Sequence, residues 1–439
     1  MLPQLRDLFS RFYPELVVIS ISSPKFNWEK HSQAVRNAVL QHRLRHPVVS
    51  DPGHLLWNAY GIRAWPSLVI VGPNSEYIGT YEGEVSYQDL FHQITHLLEY
   101  FRSQSKINKN PIDLKPLEPP KRELSYPARV RYIDELGLIV ISDTGNNRLL
   151  LVDKQGQVLQ QIGSGKEGFA DGPISKASFN QPRGVTYSKG LLFVADTANH
   201  SVRKVELDKG VVTTIAGDGK RGFPVYNSYT DIVSLASPWD LDALQDRVFI
   251  AMAGMHQIWL LNQSTGNCAP FAGSGYEGIR DGPKETAWLA QTSGIRVFKN
   301  FLYFIDSETS SVRQLDLSTN IVSTIVGQGL FDFGDTDGNF ITARLQHPLG
   351  IEVSNDGNHI FIADSYNHKI KLLDLHSKSV STIAGSGIVG YTDGDCEAAM
   401  FAEPSYIDLI DDKTLLVADT NNSAIRSIDL QSCRVTTFL

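Results

Sequence analysis

The sequence predicts a mixed fold: an α/β domain over residues 1–101, a linker over 102–125, and an all-β propeller of six blades over 126–439. Three observations predict it. One motif recurs six times at a near-constant step through the last three quarters of the chain. The first hundred residues alternate helical and strand periodicities. The stretch between them holds four prolines and many charges with little apolar content. A repeat of that length with several strands per copy marks propeller blades, each of which buries its faces only against its neighbours.

In the first domain, Leu2, Leu5, Leu8 and Phe12 lie on one face of a helix, Leu16 to Ser22 reads as a strand, and Trp28 to Leu44 as a second helix. His46-Pro-Val-Val is a short strand, His54 to Tyr60 a helix, and Ser67 to Val71 a strand after Trp65-Pro66. Asn74 marks a turn into Tyr77 to Tyr81, and Tyr87 to Phe101 closes the domain as a helix. The linker, with adjacent Pro119 and Pro120, is expected to be a stiff extended tether.

The repeat is an apolar strand ending in Asp, a polar turn and a second strand, anchored at Asp143, Asp196, Met252, Asp306, Asp364 and Asp419, in steps of 53, 56, 54, 58 and 55 residues. Most copies add a preceding strand opened by Pro or a small residue (Pro182, Pro238, Pro348, Pro404) and a following strand of the VVTTIAG kind, making four strands per blade. Loops with Asp-Gly (Asp171, Asp281, Asp337, Asp393) then cross to the next blade.

An Asp at a strand end needs hydrogen-bond partners, and the turn amides with Arg203, Arg313, Lys371 and Arg426, seven residues after their Asp, are expected to supply them. Groups that recur in blade after blade read as framework. His200, His256 and His368 invite a ring of imidazoles around a metal, yet their equivalent place in each turn favours the same framework reading, so no metal or other cofactor is expected. The third copy departs, with Met252 and Met255 in place of Asp and Asn and with Trp239 and Trp259 nearby. Met and Trp are favoured at binding surfaces, so these four residues form a candidate binding patch; the alternative is an apolar substitution that fills the same space, and burial of Met255 and Trp259 would exclude the patch.

The D-x-x-N-H-x-[IV]-[RK] rhythm at Asp196 and Asp364 resembles the NHL repeat, which implies a closed ring of six blades. The order of elements in the first domain resembles the thioredoxin fold, and Trp65-Pro66 falls where that family places the cis-proline that holds an extended substrate segment. With HPLGIEVSNDG and IADSYNHKIK, the combination resembles the NHL repeat-containing protein 2 family over essentially the whole chain. That resemblance implies a cysteine motif and a core strand ahead of the helix that here begins at Met1. The domain is therefore expected to lack its central strand, between Leu16 to Ser22 and Ser67 to Val71, through a late start, a fragment or degeneration.

Only Cys268, Cys396 and Cys433 occur, with no C-x-x-C, so no redox dithiol of the thioredoxin kind is expected in this chain and a reducing, cytosolic home is. The formal net charge of −8 falls mainly in the repeat region and disfavours phosphate backbones. No apolar stretch is long enough to span a membrane. The expected function is a non-enzymatic, monomeric scaffold for a protein or peptide partner, with no nucleic acid and no membrane, and with long interblade loops such as 327–337 as its contact surface. Two alternatives stand beside it: a thiol–disulfide oxidoreductase-like protein with its cysteine motif upstream of Met1, and a propeller lyase or hydrolase with a central metal, for which His347 and His359 are too few.

Overall fold

The computed structural model describes residues 2–83, 85–118, 122–223 and 234–439. The chain divides into two compact units, Met1–Lys121 and Arg122–Leu439.

In the first unit the opening helix, Leu2–Phe12, buries Leu8 and Phe9. The helix expected over 28–44 divides into a 3-10 turn, Trp28–Lys30, and an α-helix, Ser32–Gln41, because His31 between them is extended. The last helix, Tyr87–Ser103, starts at Ser86, whose hydroxyl accepts from the Asp89 amide at 3.1 Å. It buries Leu90, Ile94, Leu98 and Phe101, the three-and-four spacing of one helical face.

The strands of this unit form two separate pairs. Ser20–Ser22 pairs in parallel with Val48–Ser50, and Ser67–Val71 pairs antiparallel with Tyr77–Glu82. Leu16 to Ile19 stay outside the strand expected over 16–22. Among the described residues no strand joins the two pairs, and Ile19, Ile21, Val49 and Val71 remain exposed.

The proline-rich segment does not behave as a plain tether at either end. The Tyr13 hydroxyl donates to the Ile112 carbonyl and accepts from the Ile112 amide, both at 2.7 Å, and Lys109 pairs with Glu15 at 3.4 Å, so this part lies along the first unit. Residues 122–126 belong to the propeller, where Leu124 and Tyr126 are buried. Pro119 and Pro120 lie outside the described residues.

The second unit is a propeller of six antiparallel four-stranded blades, whose second strands are Leu138–Asp143, Leu191–Asp196, Arg247–Met252, Phe301–Asp306, His359–Asp364 and Thr414–Asp419. Four blades gain a two-residue fifth strand from the loop before them, such as Gly172–Pro173 against Val211–Ala216. The first strands stand side by side around the axis, and Pro404–Leu409 of blade 6 packs on Arg129–Ile133 of blade 1. Each of these two blades keeps its own strands. The ring closes through side chains, where Leu124, Val130, Ile139 and Ile141 share an apolar cluster with Tyr406, Leu416, Ala418 and Ile425.

Candidate functional site

The cis Trp65–Pro66 bond sits at the head of Ser67–Val71. Trp65 reaches back to the end of the first strand, its indole N–H donating to the Ser23 carbonyl at 2.9 Å. Its ring lies against Trp57 with centroids 4.3 Å apart, and His54 meets both indoles edge-on. Asp51 holds the short helix that carries Trp57, accepting from the amides of Leu55 at 2.8 Å and Trp57 at 3.0 Å and from the Ser23 hydroxyl at 3.0 Å. Desolvation alone would raise this carboxyl, but the backbone donors of Trp57, Leu56 and Leu55 hold it below the usual aspartate range. The result is an aromatic shelf with Trp65 45% and the adjoining Leu55 77% exposed, beside a strand edge that has no strand partner among the described residues.

In the propeller the strand-end aspartates are fully buried. Asp196 accepts from Arg203 at 2.7 Å, Asn199 at 2.8 Å and the Asn180 amide at 2.8 Å. Asp306 pairs with Arg313 at 2.7 Å and Asp419 with Arg426 at 2.9 Å. Lys371 stands farther from Asp364, at 3.9 Å, and Asp143 is served instead by Arg148, five residues on, at 2.7 Å. Each long cation also holds one or two aspartates of the loop entering its blade: Arg203 meets Asp171, Arg313 meets Asp281, Arg426 meets Asp393, and Lys371 meets Asp335 and Asp337. Burial pushes Asp196 and Asp419 up to about 6 and Asp364 to about 7, whereas Asp171, Asp337 and Asp393, although desolvation opposes it, are held low by the cation and by a Thr on the outer strand.

The three recurrent histidines do not converge on one centre. Each accepts through Nδ1 from an amide of the following blade: His200 from Ser237 at 3.0 Å, His256 from Gln291 at 3.1 Å, His368 from Glu403 at 3.2 Å. Asn147, Ser310 and Ser423 do the same for Gln181, His347 and Tyr126. The six contacts run once around the ring, and the last joins blade 6 to the residue before blade 1. Among the described residues no group of three or more His, Cys, Asp or Glu is arranged to hold a metal.

The patch expected around Met252 is corrected by the packing. Met252, Met255 and Trp259 are all 0% exposed and share one apolar cluster with Leu235 and Ala236, and Trp239 is half-buried with Arg183 stacked 3.9 Å over its ring. Met252, Met255 and Trp259 occupy the positions that hold Asp, Asn and Arg in blades 2 and 6. Where blade 2 has a buried ion pair, blade 3 has bulkier apolar side chains, which carry no desolvation cost of buried charges.

A thioredoxin-like family model matches residues 1–77, and an NHL repeat model matches residues 179–205 and 345–371. NHL repeat-containing protein 2 of Gallus gallus is 36% identical over 98% of this chain and 64% of its own length, and that of Homo sapiens is likewise 36% identical over 98% and 64%. The chain is similar to NHL repeat-containing protein 2 over nearly its whole length. Protein SUPPRESSOR OF QUENCHING 1, chloroplastic, of Arabidopsis thaliana is 38% identical over 98% of this chain and 43% of its own. The chain thus spans less than two thirds of these relatives. Among solved structures, a streptogramin B lyase aligns with a TM-score of 0.45 at 12% identity, covering 72% of this chain and 84% of its own.

The axis of the propeller holds a cluster that sequence reasoning missed. Arg129 grips both oxygens of Asp240 at 2.7 and 2.6 Å and lies 3.3 Å over the Tyr406 ring. One layer along, Arg131 and Arg296 interleave with Asp242, Glu352 and Asp408, the closest pair being Arg296 with Glu352 at 2.7 Å. Burial, with the neighbouring Asp408 charge, raises Glu352 despite Arg296. The signal was present as charged residues at alternate positions of the first strands (Arg129 and Arg131, Asp240 and Asp242). Period two in a strand puts both on one face, which here is the axial one.

Proposed function

We propose that this chain is a non-enzymatic protein-interaction scaffold whose thioredoxin-like unit takes an extended protein or peptide segment beside the Trp65–Pro66 loop. The observation that carries this reading is the exposed aromatic shelf next to a strand edge, since an extended segment gains main-chain hydrogen bonds from an edge and side-chain contact from flanking aromatics. The propeller adds a second surface. Phe169, Tyr276, Phe331, Ile341, Ile388 and Tyr391 are exposed on the loops that connect successive blades. Arginines paired with carboxylates fill the axis, which argues against a metal-dependent lyase or hydrolase site there. A monomer in the cytosol fits three unpaired thiols, and none of the helices among the described residues is long and apolar enough to cross a membrane.

A second reading, an oxidoreductase-like protein with its cysteine motif ahead of Met1, is favoured by the cis Trp65–Pro66 loop in a thioredoxin-like unit. The test is selection of displayed peptides on the purified chain, followed by fluorescence anisotropy of the selected peptide. Trp65→Ala is expected to weaken binding at least ~10-fold, the loss of an aromatic anchor of about 2 kcal/mol. Unchanged affinity in Trp65→Ala, or turnover of a protein disulfide by the chain itself, overturns the scaffold reading.

A further inference from the structure

We propose that Cys396 and Cys433 form a reversible disulfide, a redox-responsive clip between the crossover segment entering blade 6 and the outermost strand of that blade. The short strand Gly394–Asp395 pairs antiparallel with Arg434–Thr437, aligning Gly394 with Val435 and Asp395 with Arg434. The next pair in that register is Cys396 facing Cys433, and the Cys396 amide donates to the Cys433 carbonyl at 3.0 Å. Facing residues of an antiparallel pair have Cα atoms about 4.5–5.5 Å apart. A disulfide spans about 4.4–6.8 Å, so the backbone is already within its reach.

The propeller builds this juxtaposition repeatedly. The Ile174 amide donates to Gly210, Lys284 to Asn320 and Phe340 to Lys378, and the acceptor residue in each case has a positive φ. Cysteine fills both positions in blade 6 alone among these four. Cys433, with φ of 49°, stands where the other blades place Gly, Asn or Lys, so local backbone preference does not account for it. The two thiols also differ in access. Cys396 is buried with Phe401, Val417 and Val435, while Cys433 is exposed. Desolvation and the neighbouring Cys433 thiol both raise the Cys396 thiol.

The order of chemistry follows from that difference. The Cys433 thiolate attacks one sulfur of a small-molecule disulfide of the glutathione class, forming a mixed disulfide and releasing one thiolate. Cys396 then loses its proton and attacks the Cys433 sulfur of the mixed disulfide, expelling the second small thiol. Two protein thiols are oxidised to one disulfide and one small disulfide is reduced to two thiols, with no other reactant. Closure requires the Cys396 thiolate, so the second step accelerates as the pH rises.

The experiment is to incubate the full chain with excess oxidised glutathione at pH 7 and pH 8.5, quench with acid, and map peptides by mass spectrometry without reduction. The expected result is a Cys396–Cys433 cross-linked peptide that forms faster at the higher pH, reverts with dithiothreitol, and leaves Cys268 free. Cys396→Ser is expected to stop at a stable glutathione adduct on Cys433, and Cys433→Ser to form no cross-link. Circular dichroism of each variant establishes that it is folded. A wild-type chain that retains the Cys433 adduct at pH 8.5, or that cross-links through Cys268, overturns the proposal. So does a chain in which neither thiol reacts.

Discussion

If charge burial, more than packing, sets the energetics of the blade ties, then copying the third blade into the second separates the two. In the wild type Asp196 and Arg203 are both fully buried and 2.7 Å apart. Arg203→Met leaves the buried Asp196 carboxylate without its counter-charge, with only the Asn199 side chain and the Asn180 amide donating to it, and removal of one partner from a buried pair costs about 3–5 kcal/mol. The triple variant Asp196→Met, Asn199→Met, Arg203→Trp instead installs the side chains that blade 3 carries at Met252, Met255 and Trp259. It leaves no buried charge at this position. Both variants lose the Arg203 hydrogen bonds to the carbonyls of Ala170 and Ser178, both 2.9 Å, and its contact with the half-exposed Asp171; the triple variant also loses the Asn199 bond to the Gly168 carbonyl at 2.7 Å and the Asp196 acceptor of the Asn180 amide at 2.8 Å, each hydrogen bond at about 1 kcal/mol. The single change should therefore be more harmful than the triple, about 5–7 against about 4 kcal/mol. For a propeller of roughly 320 residues, an unfolding entropy near 2 cal/mol/K per residue makes 1 kcal/mol worth about 1.5 °C, so the midpoints should fall by about 8–10 °C and about 6 °C. Thermal unfolding followed by far-UV circular dichroism measures both. A triple variant as unstable as the single one would refute the reasoning, because packing of the native Arg would then outweigh the stranded charge.

Two further outcomes follow from the axis. The folded-state pKa of Glu352 lies above its ordinary value of 4.5, so its contribution to stability is fully present below that pH and is lost as the pH rises through the raised pKa. Glu352→Gln keeps an acceptor for Arg296 without the charge, so chemical denaturation from pH 5 to 9 should show a flatter profile for the variant; a parallel profile counts against the assignment. Gly184 tolerates no side chain: an added Cβ would lie 2.4 Å from the Asp240 Cα and 2.9 Å from the Trp239 carbonyl oxygen. Gly184→Ala should therefore destabilise by about 1–3 kcal/mol or more, read as a lower urea midpoint, and a neutral effect would mean that the first strands of blades 2 and 3 are free to separate.

The comparison of Asp196 with Met252 shows how far local pattern carries. The six-fold recurrence makes every blade legible, because four short strands per period bury their faces only in a closed stack. It also places the Asp, turn and Arg positions, and it marks the Trp65–Pro66 loop. The same pattern left the Met252 site open between a binding patch and an apolar filling of the core, since a polar-to-apolar change at a repeated site reads identically whether the site faces solvent or core. In the structure Met252, Met255 and Trp259, at the three positions of the tie, are all interior, and the apolar set takes the place of the ionic one.

What the sequence by itself determined is the class of both units and the number of blades, which follow from periodicity and turn chemistry. What only the tertiary structure decided are contacts between residues distant in the chain. Asp240 meets Arg129 at the axis, Ser423 receives the Tyr126 amide across the ring closure, and Cys396 faces Cys433. Each pair is separated by dozens to hundreds of residues. Spacing along the chain carries no information about such partners until the blades have closed into a ring.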